Sequence, residues 1–250
     1  MCVLGLATGT ASAAPAHGHF IHAFNTNQSS NWYGYNQGSL EKGNKLFNSV
    51  SGDWIVPTAT QHTKNQAENS STWIGIGGGC VDAGCTVGDN TLIQTGTEQD
   101  VSGGAASYGA WWEIIPGPSI AITNMTVAAG DHMHADISEA VAGSNVWTIT
   151  LRNVTRNQTF TQTVPYTSTH ATAEWIEETP LILGTGAGFA ALPNLTTVAF
   201  TSAKTNGAPA NLAASEEIQL IDSAGKVIGA PSAPNASRDG FSACAWATSC

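Results

Sequence analysis

Charge is what this 250-residue chain has least of. Asp, Glu, Lys and Arg together make up 10% of it, against roughly a quarter in ordinary soluble proteins. Bases are the scarcer sign, 8 against 18 acids, for a formal net charge of −10. Neutralising phosphate takes clustered Lys and Arg, so this balance argues against nucleic acid or an anionic membrane as partner. No apolar run approaches the roughly 18 residues of a membrane-spanning helix. Helical periodicity is almost absent. Gly-x-Ser-x-Gly is missing, and with it the main signal of a serine hydrolase. No glycine-rich phosphate loop stands between a strand and a helix.

Gly, Ser, Thr, Asn and Ala take the place of the missing charges, a composition that suits a secreted β-protein. With few cations, the chain gathers little positive charge as its carboxylates protonate below about pH 4. The apolar runs are short, β-branched and aromatic, and are separated by Gly, Asn, Pro and Ser. Val146-Trp147-Thr148-Ile149-Thr150-Leu151 alternates as a strand. Ile218 to Ile221 and Lys226 to Ile228 do likewise, joined by the turn Asp222-Ser223-Ala224-Gly225. Asn153 to Asn157 reads as another turn. Many short strands with turns between them predict an all-β antiparallel sandwich or barrel.

Residues 1–13 read as a secretory signal, with an apolar run from Cys2 to Ala7 and small residues at Ala11-Ser12-Ala13, though the basic start is missing. Residues 14–28 are expected to be a flexible leader or short propeptide, and residues 29–250 a single domain. Residues 231–243 read as a loose segment. Of five cysteines, Cys2 would leave with the signal. Cys80 with Cys85, and Cys244 with Cys250, each close a short loop. Disulfides are expected there in an oxidising compartment; the spacings are wide for a zinc knuckle.

Two segments carry the chemistry: Leu92-Ile93-Gln94-Thr95-Gly96 and Ala173-Glu174-Trp175-Ile176-Glu177-Glu178. They resemble the active-site strands of the glutamic peptidases, or eqolisins. Further family-like segments stand in the same order around them. These are Ser30-Asn31-Trp32-Tyr33-Gly34, Trp54-Ile55-Val56-Pro57, Ser71-Thr72-Trp73-Ile74-Gly75-Ile76, Ser107-Tyr108-Gly109-Ala110-Trp111-Trp112-Glu113, Ala129-Gly130-Asp131 and Val198-Ala199-Phe200-Thr201.

The resemblance implies a lectin-like (concanavalin-like) β-sandwich of two large antiparallel sheets, with the catalytic pair on a concave face. It implies a secreted, extracellular acid endopeptidase acting on polypeptide substrates, with no metal and no cofactor. A monomer is expected. Peptide hydrolysis by water needs a base and an oxyanion donor. The resemblance gives the donor to Gln94, whose amide does not titrate, and the base to Glu178. It places Trp32, Trp73, Trp111, Glu113 and Glu98 along the substrate cleft.

On a strand, Glu174, Ile176 and Glu178 share one face and Trp175 and Glu177 the other. Glu174 and Glu177 stay open as candidates for the base, Glu177 being the least favoured. Trp32 is open between core packing and the cleft. The chain departs from the family at Gly77 and Gly109, where several members have Asp, and at Ile115, where a tyrosine stands. Glu98 replaces an aspartate, and the Gly78–Gly88 loop is extra. Fewer acids around the catalytic glutamate imply a milder acid optimum.

Other readings rank lower. Asp131-His132-Met133-His134 puts two imidazoles on one strand face but offers no clear third metal ligand. His17, His19 and His22 read as solvated leader residues. A lectin-like sandwich could instead bind carbohydrate or peptide without cutting it, stacking ligand on Trp73 and Trp111. That alternative leaves Gln94 and Glu178 dispensable and far apart.

Overall fold

The computed structural model describes residues 15–16, 27–182 and 188–250. The expected signal segment with Cys2, and most of the expected leader with its histidines, lie outside them. Thirteen strands of five or more residues run through the described chain. They are β1 (Trp32–Gly38), β2 (Ser49–Ile55), β3 (Glu68–Gly77), β4 (Leu92–Ser102), β5 (Ala105–Ile114), β6 (His132–Glu139), β7 (Val146–Asn153), β8 (Gln158–Pro165), β9 (Thr172–Glu178), β10 (Val198–Thr205), β11 (Glu217–Ile221), β12 (Val227–Pro231) and β13 (Phe241–Ala245). One short 3-10 turn, Ala214–Glu216, is the only helical element among the described residues.

The strands form two layers. The first runs β1-β9-β3-β4-β5, and the second β8-β7-β6-β2-β10-β13-β12-β11. These thirteen strands pair antiparallel throughout. The sandwich is not two separate sheets, because β11 also pairs with β1 through Glu217↔Tyr35 and Ile218↔Gly34. Hydrogen bonding is therefore continuous from one layer to the other along one side.

Alternation explains the core. On β6 every second residue is buried, as expected for a sheet with one face in solvent. The inward faces of both layers supply one apolar cluster that includes Tyr33, Tyr35, Trp54, Ile74, Ile93, Met133, Ile149, Trp175 and Phe200. Trp175 crosses between layers, its indole N–H donating to the Ser51 carbonyl at 2.9 Å. A Cβ at Gly52 would lie 2.8 Å from that indole, so the glycine makes the close approach of β2 possible. Trp54 crosses the other way and donates to Thr97 Oγ1 at 3.1 Å.

The turns follow their sequence. β4 and β5 are joined by Gly103-Gly104, both at positive φ, the two-residue hairpin that glycine favours. The turn from Asp222 to Gly225 closes β11 on β12, with Asp222 N donating to the Lys226 carbonyl at 2.9 Å. Both expected disulfides, Cys80–Cys85 and Cys244–Cys250, are formed. Residues 231–243 correct the sequence reading. Their C-terminal part begins β13, which lies inside the second layer between β10 and β12. The loop before it is held by Asn235 donating to Asp239 Oδ1 at 2.9 Å and Arg238 donating to the Leu212 carbonyl at 2.8 Å. From the leader, Pro15–Ala16 pairs as a short strand with Leu181–Ile182.

Candidate active site

The register of the first layer places the site residues. The face turned away from the core carries three cross-strand rows on β1, β9, β3, β4 and β5. One row reads Asn36, Glu174, Gly75, Gln94, Glu113. The next reads Gly34, Ile176, Trp73, Gly96, Trp111, and the third Trp32, Glu178, Ser71, Glu98, Gly109. Every residue expected in the catalytic or substrate-binding set thus falls on one face. The 84-residue gap between Gln94 and Glu178 closes because β4 and β9 flank the same strand, β3.

Glycine at the centre of these rows is a packing requirement. A Cβ at Gly96 would sit 2.3 Å from the Thr72 carbonyl oxygen and 2.5 Å from Trp73 Cβ. Gly34 has φ of 144°, and a Cβ there would meet the Trp175 carbonyl at 2.2 Å. With the middle row reduced to glycine at two of its five places, Trp32, Trp73 and Trp111 can pack with Leu92, Ile176 and Ile218 in a second apolar cluster. Trp32 and Trp73 meet edge to face with ring centroids 4.8 Å apart, an arrangement aromatic pairs prefer. Trp32 therefore belongs to the site face and not to the core between the layers.

Side-chain hydrogen bonds fix the centre of this face. Trp73 Nε1 donates to Glu178 Oε2 at 2.9 Å. Gln94 Nε2 donates to Glu113 Oε2 at 2.7 Å. Trp111 Nε1 donates to Ser71 Oγ at 3.0 Å, and Ser71 Oγ donates to the Thr97 carbonyl at 3.0 Å. Gln94 and Glu178 are both fully buried, and Glu113 is 1% exposed. Burial first, and then the charge of Glu178, push the Glu113 carboxyl up to about 8, while the Gln94 hydrogen bond pulls the other way. Glu113 is therefore neutral in acid, and its coupling to Glu178 links the two halves of the site.

The three glutamates of the β9 motif separate by face. Glu178 lies beside Trp73. Glu174 shares the outer face but is fully buried, and burial, with Asp89 second, holds its carboxyl well above the usual range. Glu177 points into the core, where Thr72 Oγ1 donates to it at 2.5 Å. Burial pushes it up to about 8 against that hydrogen bond. An acidic run of this kind would ordinarily lie on a solvated strand edge; here β9 is a central strand.

The departures from the family pattern have local causes. A Cβ at Gly77 would lie 2.0 Å from the Thr91 carbonyl, and its φ is 98°. The pairing of Gly77 with Leu92 sets Thr91 against it and leaves no room for an aspartate. A Cβ at Gly109 would lie 2.5 Å from Glu98 Oε1. The longer Glu98 thus occupies the space that a side chain at 109 would need. Ile115 packs against the tryptophan cluster.

Sequence reasoning missed Ser71, which anchors Trp111; alternation from Trp73 would have put it on the face. It also missed the Gln94–Glu113 pair, which only the β4–β5 register reveals. The third partner missing beside His132 and His134 is Asp53 of β2. Asp53 Oδ1 lies 2.9 Å from His132 Nε2 and 3.3 Å from His134 Nδ1. This cluster sits in the second layer, away from the tryptophan face. Among the described residues no group of three His, Cys, Asp or Glu side chains is arranged to hold a metal ion.

The sequence model of the Peptidase A4 family matches residues 30–238. No curated protein matches the chain. Among solved structures, it is similar to scytalido-glutamic peptidase with a transition state analog inhibitor, at 20% identity and TM-score 0.65, covering 86% of this chain and 98% of that one. It is also similar to SCP-B, a member of the eqolisin family in complex with the tripeptide Ala-Ile-His, at 19% identity and TM-score 0.59, over 87% and 98% of the two chains. Aspergilloglutamic peptidase from Aspergillus niger follows at 22% identity and TM-score 0.57, over 71% and 99%.

Proposed function

The chain belongs to the peptidase A4 family, a family of peptide hydrolases, and from that premise we propose a secreted, monomeric endopeptidase that works in acid with Gln94 and Glu178. One observation carries the reading. Gln94 and Glu178 lie on the same face of one sheet, on strands that flank β3, and each is held by a second side chain of that face.

Glu178 takes a proton from a bound water as the water attacks the scissile carbonyl. Trp73 fixes one carboxylate oxygen of Glu178, which orients the base. The amide of Gln94 has two N–H donors. One is spent on Glu113, which aims the other at the developing oxyanion. Glu178 then returns its proton to the leaving amine. The step needs no acyl-enzyme, because water is the nucleophile. Two disulfides fit an oxidising compartment, and no helix among the described residues is long and apolar enough to cross a membrane.

The test is cleavage of a denatured protein between pH 2 and 7 by wild type, Glu178→Gln and Gln94→Ala, with pepstatin and EDTA as controls. Acid activity that resists both inhibitors is expected. Glu178→Gln should abolish it, and Gln94→Ala should cost about 10²–10³ in rate. Near-wild-type rates in either variant would refute the assignment. With Gly77 and Gly109 in place of acids, the optimum is expected to be milder than in relatives that keep them; a profile peaking at or below theirs would refute that clause.

A further inference from the structure

We infer that the Cys80–Cys85 bridge is a redox switch on the hydrolytic site. With the bridge closed the chain cleaves; with it opened to two thiols, activity falls while the sandwich stays folded. The inference rests on the peptidase reading above and adds a means of regulation to it.

The bridge is part of the active face. Cys80 and Cys85 pack in the same apolar cluster as Trp32, Trp73, Trp111 and Ile176. Cys244–Cys250, by contrast, starts on β13 in the second layer and takes no part in that cluster. Gly78, at the root of the Cys80–Cys85 loop, has φ of 88°, and a Cβ there would lie 3.0 Å from Leu92 Cδ2 and 3.2 Å from Trp32 Cη2. The backbone of the bridge is also tied to the row that holds Gln94. Asn36 stands in that row, and its Nδ2 donates to the Cys80 carbonyl at 2.8 Å. Just past β1, the Leu40 N–H donates to the Val81 carbonyl at 3.2 Å.

Closed, the bridge keeps the loop in one shape. Cys80 pairs with Gly88, the Val81 N–H donates to the Val87 carbonyl at 2.9 Å, and the Cys85 N–H donates to the Asp82 carbonyl at 2.9 Å. Cys85 has φ of 49°, a left-handed conformation that residues with a side chain rarely take. Opening the bridge frees Cys85 to leave it, and the loop's grip on Asn36 and Trp32 loosens. Trp32 meets Trp73 edge to face, and Trp73 holds Glu178, so a shift of Trp32 is passed on to the base. A misplacement of about 1 Å can cost roughly a hundredfold in rate. The two cysteines are 9% and 8% exposed, beside a shallow cleft lined by Asp82 and Ala83, where a small reductant reaches them. Closing the bridge takes two electrons and two protons from the thiols and gives them to a disulfide oxidant, which becomes a dithiol. A reducing compartment keeps the thiols, so cleavage begins only after export.

The experiment opens the bridge in the purified enzyme with a water-soluble trialkylphosphine. The phosphine takes the oxygen of a water molecule and the two sulfurs take its hydrogens. Opening is confirmed by thiol titration, and kcat, KM, circular dichroism and tryptophan emission are measured without denaturant at the pH of maximal activity. In wild type kcat should fall about tenfold or more, tryptophan emission should shift, far-UV dichroism should hold, and reoxidation with oxidised glutathione should restore the rate. A chain with Cys244→Ser and Cys250→Ser should start at the wild-type rate and fall in the same way. A chain with Cys80→Ala and Cys85→Ala should be slow from the start and indifferent to phosphine. A wild-type rate in that last chain, or in wild type with the Cys80 and Cys85 thiols free, would overturn the inference and leave the peptidase reading standing. Loss of activity only together with loss of the far-UV signal would also overturn it, as plain unfolding. No cleavage by the oxidised enzyme at any pH from 2 to 7 would overturn both.

Discussion

Glu177 sets a pH limit on the fold that can be measured directly. Its carboxyl is fully buried between the layers, takes a hydrogen bond from Thr72, and is pushed up to about 8. In the unfolded chain a glutamate ionises near 4.5. Between those values the native state holds a proton that the unfolded state has released. Unfolding then releases a proton, so stability falls as pH rises. The slope is about 1.4 kcal/mol per pH unit for one such group. Across the window from about 4.5 to 8 the loss is on the order of 5 kcal/mol. The contribution is fully present below pH 4.5 and gone above pH 8.

Glu177→Gln keeps the shape and an acceptor for Thr72 but cannot ionise. Its unfolding free energy should match wild type at pH 4 and exceed it at pH 8 by most of that amount. For a chain of this size, that corresponds to about 10 °C in Tm. Urea unfolding of both proteins at half-unit steps from pH 4 to 8.5 reads the difference. Parallel profiles for wild type and variant would refute the reasoning. Glu113 and Glu174 add slopes of the same sign, so the variant should retain a decline of its own, but a shallower one.

Two further expectations follow from the site and the loops. Glu113→Ala frees the Gln94 amide and should lower kcat about tenfold more than Glu113→Gln, whose amide oxygen can still accept from Gln94; equal losses in both variants at pH 4 would show that the Gln94 contact does not matter. Replacing Cys80 and Cys85 together by alanine removes a six-residue loop closure worth about 2 kcal/mol, visible as a lower urea midpoint at unchanged slope, and an unaltered midpoint would contradict it.

Much of this was legible in the residues. Val146 to Leu151 alternates because one face of β7 packs inward and the other faces outward, and alternation is the signature of that situation. The separation of Glu174 and Glu178 from Glu177 also follows from period two. What period two does not reveal is which face meets a second sheet. Glu177 could be placed opposite Glu178 but not inside the core, because that depends on β2 and β10 lying beneath it. The start of β13, residues 241–243, reads as part of a loose segment for a related reason. Phe-Ser-Ala-Cys-Ala has one large apolar residue, and its burial comes from its neighbours. The Gln94–Glu113 pair and the Glu98–Gly109 accommodation depend on register, which the hairpin turn sets and no single strand announces. Gly77 looked like a lost acid. Its cause is steric, the carbonyl of Thr91 on the paired strand side, which only the β3–β4 register brings there.

The insertion of β9 between β1 and β3 has a consequence for the order of assembly. Residues 32–38 and 68–77 come early in the chain, yet neither pairs with the other. On that side each waits for residues 172–178, roughly 100 to 140 positions later. Such distant pairing is slow to form, since a long loop must close before any contact rewards it. On the ribosome, β3, β4 and β5 can fold as a meander carrying Gln94 while the partner glutamate is still unmade. The strand that completes the sheet is the same strand that delivers Glu178. Gln94 and Glu178 come onto one sheet only as the first layer closes, so on the proposed mechanism a chain that lacks β9 is inert.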